Sequence, residues 1–158
     1  MAFRARRALI IALWVSADAM AGATMFPLPP DARRPAHVVL TPGSAEQDYF
    51  WLKAFYPETP ALGHYTKVFA RWLPCEPQEA DWRSFGDASN GLFLHQFLRY
   101  WISGDNRQAV TVLFQYTSPG TAHRARPDND NQWVAVLRHR VPDAAAFLSG
   151  MDVECPKR

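Results

Sequence analysis

The sequence lacks the short motifs that identify catalytic or cofactor-binding sites. No Gly-x-Ser-x-Gly, Gly-x-Gly-x-x-Gly or phosphate-loop pattern occurs in its 158 residues. Nothing therefore indicates acyl transfer by a nucleophilic serine or a phosphate-bearing cofactor. The five histidines stand singly along the chain, whereas a zinc site needs histidines and cysteines at ligand spacing. We predict no catalytic residues, no metal and no cofactor.

Two acidic stretches are the nearest approach to a site motif. Asp128–Asn131 lacks the glycine and the final glutamate of a calcium-binding loop. Glu76, Glu79 and Asp81 are the best candidates for the paired carboxylates of a glycosidase, but all three fall in one polar connection. We predict that both stretches are solvated loops rather than sites.

No apolar run at the N-terminus is long enough to span a bilayer. Three arginines at residues 4–7 precede an apolar stretch at residues 8–17, and small residues follow. This layout indicates a secretory signal peptide over residues 1–23, cleaved after Ala21 or Ala23. The alternatives are an uncleaved membrane anchor and a buried N-terminal helix. We expect a periplasmic or secreted protein with no stable membrane span after cleavage.

The part of the chain that follows the predicted signal peptide also lacks an excess of charge of one sign. The whole sequence has 17 basic and 15 acidic residues, and removal of the leader leaves 14 of each. A nucleic-acid-binding domain needs a concentrated basic surface. We therefore expect no nucleic-acid partner.

Cysteine is scarce, with Cys75 and Cys155 as the only two. They do not form a Cys-x-x-Cys pair, so in an oxidising compartment the simplest interpretation is one structural disulfide. Such a bond closes a loop of about 80 residues and contributes about 4–5 kcal/mol in the chain-entropy model. The alternative is a catalytic or redox-active cysteine.

Apolar and aromatic residues are plentiful, and they concentrate in one stretch, Leu92–Ser118. Residues 109–116 alternate β-branched or aromatic side chains with others at a period of two, which indicates a strand. The preceding run is apolar on both faces, as in a central strand covered twice. Gly104, Asp105 and Asn106 between them favour a turn. The stretch predicts a long central hairpin.

The flanking segments supply further elements. Residues 24–47 contain five prolines and are predicted to be an extended lead-in, with one short strand at residues 37–41. A strand is predicted at residues 48–56, with a helix as the alternative. An amphipathic helix follows, which begins at the cap Thr59 and Pro60 and ends at Pro74. The last elements are a short strand at 82–85, a strand at 132–141, and a helix from the cap Asp143 to Gly150.

This order predicts an α+β fold. We expect an antiparallel sheet of four to five strands, with one amphipathic helix packed on a face and a short C-terminal helix. Residues 48–158 are predicted to form a single compact domain.

Polar residues inside the apolar strands define the candidate binding surface. Alternation places His95, Arg99 and Trp101 on one face of their strand, and Arg138 and His139 lie on the last strand. If neighbouring strands bring these residues together, the sheet presents a basic surface flanked by aromatics, and such residues dominate binding hot spots. The alternative is an ordinary half-solvated sheet.

These observations favour a non-catalytic exported binding protein. It would act on another envelope or secreted protein as an inhibitor, immunity factor or envelope accessory. A second hypothesis is a small-ligand carrier with an aromatic pocket, and a third is a small hydrolase built on His95, Arg99 and His139. The pocket of the carrier would be lined by Trp51, Tyr65, Trp72, Phe97 and Trp101.

Overall fold

A computed structural model describes the chain at residues 23–52, 60–77, 82–87, 92–119 and 133–157, with the backbone alone at 60, 82–87, 92–95 and 116–119. Several predicted features lie outside the described residues and stay predictions. They are the leader up to residue 22, Thr59, Glu79, Asp81 and Asp128–Asn131.

Eight strands and two helices follow one another within the described ranges. In chain order they are β1 (Arg33–Thr41), β2 (Ala45–Trp51), α1 (Pro60–Val68), β3 (Leu73–Pro77), β4 (Trp82–Asp87), β5 (Leu92–Ile102), β6 (Gln108–Pro119), β7 (Trp133–Arg140), α2 (Ala144–Ser149) and β8 (Val153–Glu154).

The described strands form one antiparallel sheet in the order β1-β2-β7-β6-β5, and both β3 and β4 pair with the outer side of β5. The two-residue β8 adds to β3. The α+β class is confirmed, but the prediction of four to five strands is wrong, because the sheet has seven strands besides β8. Residues 33–47, predicted to be mostly a lead-in, contribute β1 and the start of β2.

The central hairpin has the predicted place and turn. β5 and β6 pair in unbroken register from Leu92 opposite Pro119 to Ile102 opposite Ala109. Asn106 in the turn has a φ of 59°, a left-handed conformation that asparagine tolerates better than most residues. The turn prediction from Gly104, Asp105 and Asn106 is confirmed.

One face of the sheet, here called the helix face, is covered by α1. Ala61, Tyr65 and Phe69 recur every four residues, so they lie on one side of the helix and its C-terminal turn. They pack against apolar strand residues, and the N-terminal segment adds Phe26 at 4.9 Å from the Phe69 ring. The buried strand residues of this core are Phe50, Phe97, Trp101, Val110, Val112, Phe114, Val134 and Val136.

The opposite face is covered at one end by α2 and the C-terminal tail. Ala144 and Leu148 of α2 pack with Tyr100, Ile102 and Ala109 of the hairpin. The predicted cap is confirmed, since Asp143 accepts a hydrogen bond from the Ala146 amide at 2.9 Å. The predicted disulfide Cys75–Cys155 is also confirmed. It joins β3 to the residue that follows β8.

α1 ends earlier than the sequence predicts. The helix stops at Val68, and the Trp72 amide donates to the Phe69 carbonyl in a tight turn. The chain then enters β3, where Leu73 pairs with Ile102. The prediction extended the helix to Pro74 because apolar spacing continues through Trp72, and pairing with β5 overrides that local signal.

Candidate functional site

The predicted binding residues do not form one surface. Trp101 is only 5% exposed and its ring lies 5.0 Å from that of Phe69, so it belongs to the core. Arg138 lies on the helix face, whereas His139 lies on the opposite face against Phe147, because neighbouring residues of a strand alternate.

The other two predicted residues are placed on β5. Arg99 is partly buried and its guanidinium lies 4.1 Å from the centre of the Phe97 ring, a cation–π contact within the sheet. The backbone of His95 pairs with Tyr116, and its side chain lies outside the described residues. The predicted surface therefore loses Trp101 to the core and His139 to the other face.

The aromatic residues proposed to line a ligand pocket are also divided. Tyr65, Phe97 and Trp101 are buried in the helix-face core. Trp51 pairs with Trp133 on the opposite face, with ring centres 6.3 Å apart. These residues therefore do not enclose one cavity.

A charged cluster that sequence reasoning missed lies on β2 and β7. Glu46 accepts a hydrogen bond from Arg138 Nη2 at 2.7 Å and another from Arg140 Nη1 at 2.6 Å. Burial raises the pKa of Glu46, but hydrogen bonds and Coulombic attraction from the two arginines outweigh it, and the pKa lies below its ordinary value. Glu46 is thus a stable carboxylate and a weak proton acceptor at neutral pH.

A second polar group connects β1, β2 and the N-terminal segment. Asp48 is 1% exposed, and its Oδ1 lies 2.9 Å from His37 Nδ1. Its Oδ2 accepts from the Met25 amide at 2.7 Å. A buried carboxylate needs such partners, so Asp48 ties the residues before β1 to the sheet.

Together these two groups serve to hold elements in place. All four carboxylate oxygens of Glu46 and Asp48 have a hydrogen-bond partner, and Glu46 has a lowered pKa. Burial, with the charge of Asp48, raises the pKa of the nearby Tyr65, so its phenol stays protonated. This arrangement is suited to orientation and charge balance more than to proton transfer.

The surface that stands out is the free edge of β1. Val39 is 54% exposed and Leu40 43% exposed, and no other large apolar side chain among the described residues is exposed. Arg33, Arg34 and Pro35 at the other end of the strand are exposed as well. We call this strand, with its outward backbone groups, the β1 edge.

The β1 edge is open in the described sheet. β1 pairs with β2 on one side, and no described strand lies on the other. Its pairing with β2 is regular from Ala36 to Val39 and shifts register at both ends. Open backbone donors and acceptors beside exposed apolar side chains form a template for a further strand.

The other end of the sheet differs from the β1 edge. β3 is covered by β8 there, and the disulfide fixes that contact. β4, the second strand at that end, is described by its backbone alone. Of the edge strands with described side chains, β1 therefore offers the longer unpaired side.

One pattern in the sequence indicates the strand that forms this edge. Val38, Val39 and Leu40 form an apolar run between Pro35 and Pro42, and the short strand predicted at residues 37–41 falls inside β1. Its position at the edge of the sheet depends on the pairing of β2 with β7, which periodicity does not reveal.

Within the described residues, no group of three metal-ligating side chains is placed to hold an ion, and no helix is long and apolar enough to cross a membrane. Comparison with protein-family models, with curated proteins and with solved structures finds no match to this chain.

Proposed function

We propose that this protein is a non-catalytic binding module that takes up an extended segment of another protein along the β1 edge. The bound segment adds a strand to the sheet, and its main chain pairs with that of β1. The proposal includes export to the periplasm or the medium, which the predicted leader and the structural disulfide support.

One observation carries the proposal. Val39 and Leu40 are the exposed large apolar side chains of the described residues, and both lie on a strand with an unpaired side. Single exposed apolar residues are ordinary on protein surfaces. Two neighbours on an open strand edge are an aggregation hazard unless a partner covers them.

The ends of β1 favour a short, reversible contact. Register shifts lie between Arg33 and Ala36 and between Val39 and Thr41, and such bulges twist and limit an edge. Pro35 also lacks an amide donor. The regular segment Ala36–Val39 is therefore suited to pairing with one added strand rather than to unlimited edge-to-edge pairing of sheets.

The test is a selection from a displayed library of random peptides as long as β1, nine residues, on the oxidised full chain. Enriched peptides are then titrated against the wild type and the Val39→Lys variant. We expect binding to weaken about tenfold or more in the variant, because lysine removes an apolar contact and is a residue that natural edges use to prevent pairing.

The matched control is Ala146→Lys, which adds the same charge at an exposed position of α2. Its peptide affinity should equal that of the wild type. Both variants should unfold in urea within about 0.5 kcal/mol of the wild type, since both sites are exposed. A library that yields no peptide sensitive to Val39→Lys would remove the β1 edge as the binding surface.

A further inference from the structure

We infer that the segment bound along the β1 edge runs antiparallel to β1, with apolar side chains in its N-terminal half and carboxylates in its C-terminal half. The inference rests on the proposed function and specifies the partner. It follows from the chemical polarity of β1 and from the pairing pattern of the sheet.

The two ends of β1 differ in chemistry. Arg33 and Arg34 are exposed, and neither has a carboxylate partner in the described part of the chain. β1 itself contains no acidic residue. A segment that lies along this end gains most from side chains that carry carboxylates.

The other end of β1 is apolar, and the arginines near it are paired with a carboxylate of the protein. Val39 pairs with Glu46 across the ladder, and that glutamate already accepts from Arg138 and Arg140. Both arginines there therefore already have a carboxylate partner within the protein. Val39 and Leu40 are exposed beside them and favour apolar side chains in the partner.

Antiparallel pairing fixes the order of these two halves. Every strand pair that the structure describes is antiparallel, and such pairing is slightly more stable per residue than parallel pairing. The N-terminal half of the partner segment then lies beside Val39, and its C-terminal half beside Arg34. These two residues are five positions apart in β1.

A second copy of the chain fits this edge less well. A two-fold axis at the centre of the regular segment Ala36–Val39 places Arg34 opposite Thr41 and Pro35 opposite Leu40 of the other copy. No carboxylate meets the arginines, and the apolar end faces an exposed proline. The complementary occupant is therefore a different protein segment with acidic residues.

The test uses three synthetic peptides as long as β1, nine residues, titrated against the full chain by fluorescence anisotropy. The first carries valine and leucine in its N-terminal half and two glutamates in its C-terminal half. The second reverses the order of the two halves. The third is the first with lysines in place of the glutamates.

We expect the first peptide to bind about tenfold more tightly than either of the others, since two exposed ion pairs each contribute modestly. This preference should shrink between about 0.05 M and about 0.5 M salt, because surface charges are screened. In the variant that combines Arg33→Glu with Arg34→Glu, the third peptide should bind more tightly than the first.

The outcomes separate this inference from the proposed function. Tighter binding of the second peptide overturns the inference, and so does equal, salt-independent binding of all three peptides. In either case the proposed function stands if Val39→Lys still weakens binding. A dimer of the full chain that Val39→Lys dissociates makes a second copy the occupant and overturns the inference. If no peptide binds and the library also yields none, both proposals fall.

Discussion

Glu46 and Asp48 show how single residues connect distant parts of this chain. They lie two positions apart on β2, so both face the helix-covered side of the sheet. Their partners are Arg138 and Arg140 for the first and His37 and Met25 for the second. The sequence separation from Glu46 to Arg138 is 92 residues, which explains why motif reading selected Glu76, Glu79 and Asp81 as the noteworthy carboxylates instead.

Replacement of Glu46 by glutamine is expected to destabilise the protein by about 1–2 kcal/mol. Arg138 is largely buried, with a side chain 18% exposed, and a buried charge without its partner is unfavourable. Urea unfolding measures the loss. The control Arg140→Ala should change stability by less than about 1 kcal/mol, because its side chain is 43% exposed. Equal losses in the two variants would contradict this account.

His139 predicts a dependence of stability on pH. Burial lowers the pKa of its imidazole, so the folded protein holds the neutral form while the unfolded chain takes up a proton near pH 6.5. The contribution of His139 is therefore full above the unfolded pKa and decreases as the pH falls through the unfolded and then the folded value. We expect the free energy of unfolding to decline as the pH falls below about 7.5, and to decline less steeply in His139→Gln.

The measurement is a set of urea titrations at several pH values. The difference between the two proteins near pH 8 reports the loss of packing against Phe147, and only the change in that difference with pH reports the proton. Parallel stability curves for the wild type and His139→Gln would show that this imidazole is not responsible.

Among the elements, the turn between β5 and β6 has a second role as the anchor of α2. The side-chain oxygen of Asn106 accepts from the Ala145 amide at 2.9 Å, and its amide nitrogen donates to Asp143 at 2.9 Å. The sequence predicted both the turn at residues 104–106 and the cap at Asp143, because each is a local signal. It did not indicate that they bind one another, since 37 residues separate Asn106 from Asp143.

Two substitutions at Asn106 separate its conformation from its hydrogen bonds. Asn106→Gly accepts the positive φ but loses the side-chain contacts, which should lower stability by about 1–2 kcal/mol. Asn106→Ala loses the same contacts and adds about 1 kcal/mol or more of backbone strain. Thermal or urea unfolding should therefore rank the wild type first, the glycine variant second and the alanine variant last. Equal stability of the two variants would show that the backbone is unstrained there.

Local patterns predicted elements well where the pairing is also local. The β5–β6 hairpin and α2 follow from strand periodicity, turn residues and a cap within about 30 residues of chain. β1 is longer than predicted and β3 was not predicted, because Pro35 and Pro74 within these strands indicate breaks. Both strands pair along the outer side of a neighbouring strand, where proline is tolerated. The sheet therefore has seven strands instead of the predicted four to five.

The structure separates Trp101 and His139 from the other residues of the predicted binding surface for a related reason. Alternation correctly placed Arg99 and Trp101 on one face, but α1 covers that face and buries Trp101. Whether a face is covered depends on where a helix packs in three dimensions, and the period of a strand contains no such information.

At the scale of the whole molecule, the disulfide closes a separation of 80 residues between β3 and the C-terminal tail. Its removal in the variant Cys75→Ser with Cys155→Ser should lower stability by about 2–5 kcal/mol, chiefly because the unfolded chain gains freedom. Urea unfolding of the variant and of the oxidised and reduced wild type provides the measurement. The reduced wild type should resemble the variant, and an unchanged unfolding midpoint in both would contradict the expectation.

The order in which the strands pair also limits when the β1 edge can exist. β1 and β2 form a hairpin that is joined to the rest of the sheet through β7, at residues 133–140. A hairpin of two strands is at best marginally stable alone in water, and pairing across such a long sequence separation is slow because a long loop must close first. A nascent chain that has not yet emerged as far as β7 therefore has no lasting β1 edge, so the proposed binding of a partner segment requires β7 to be synthesised and paired first.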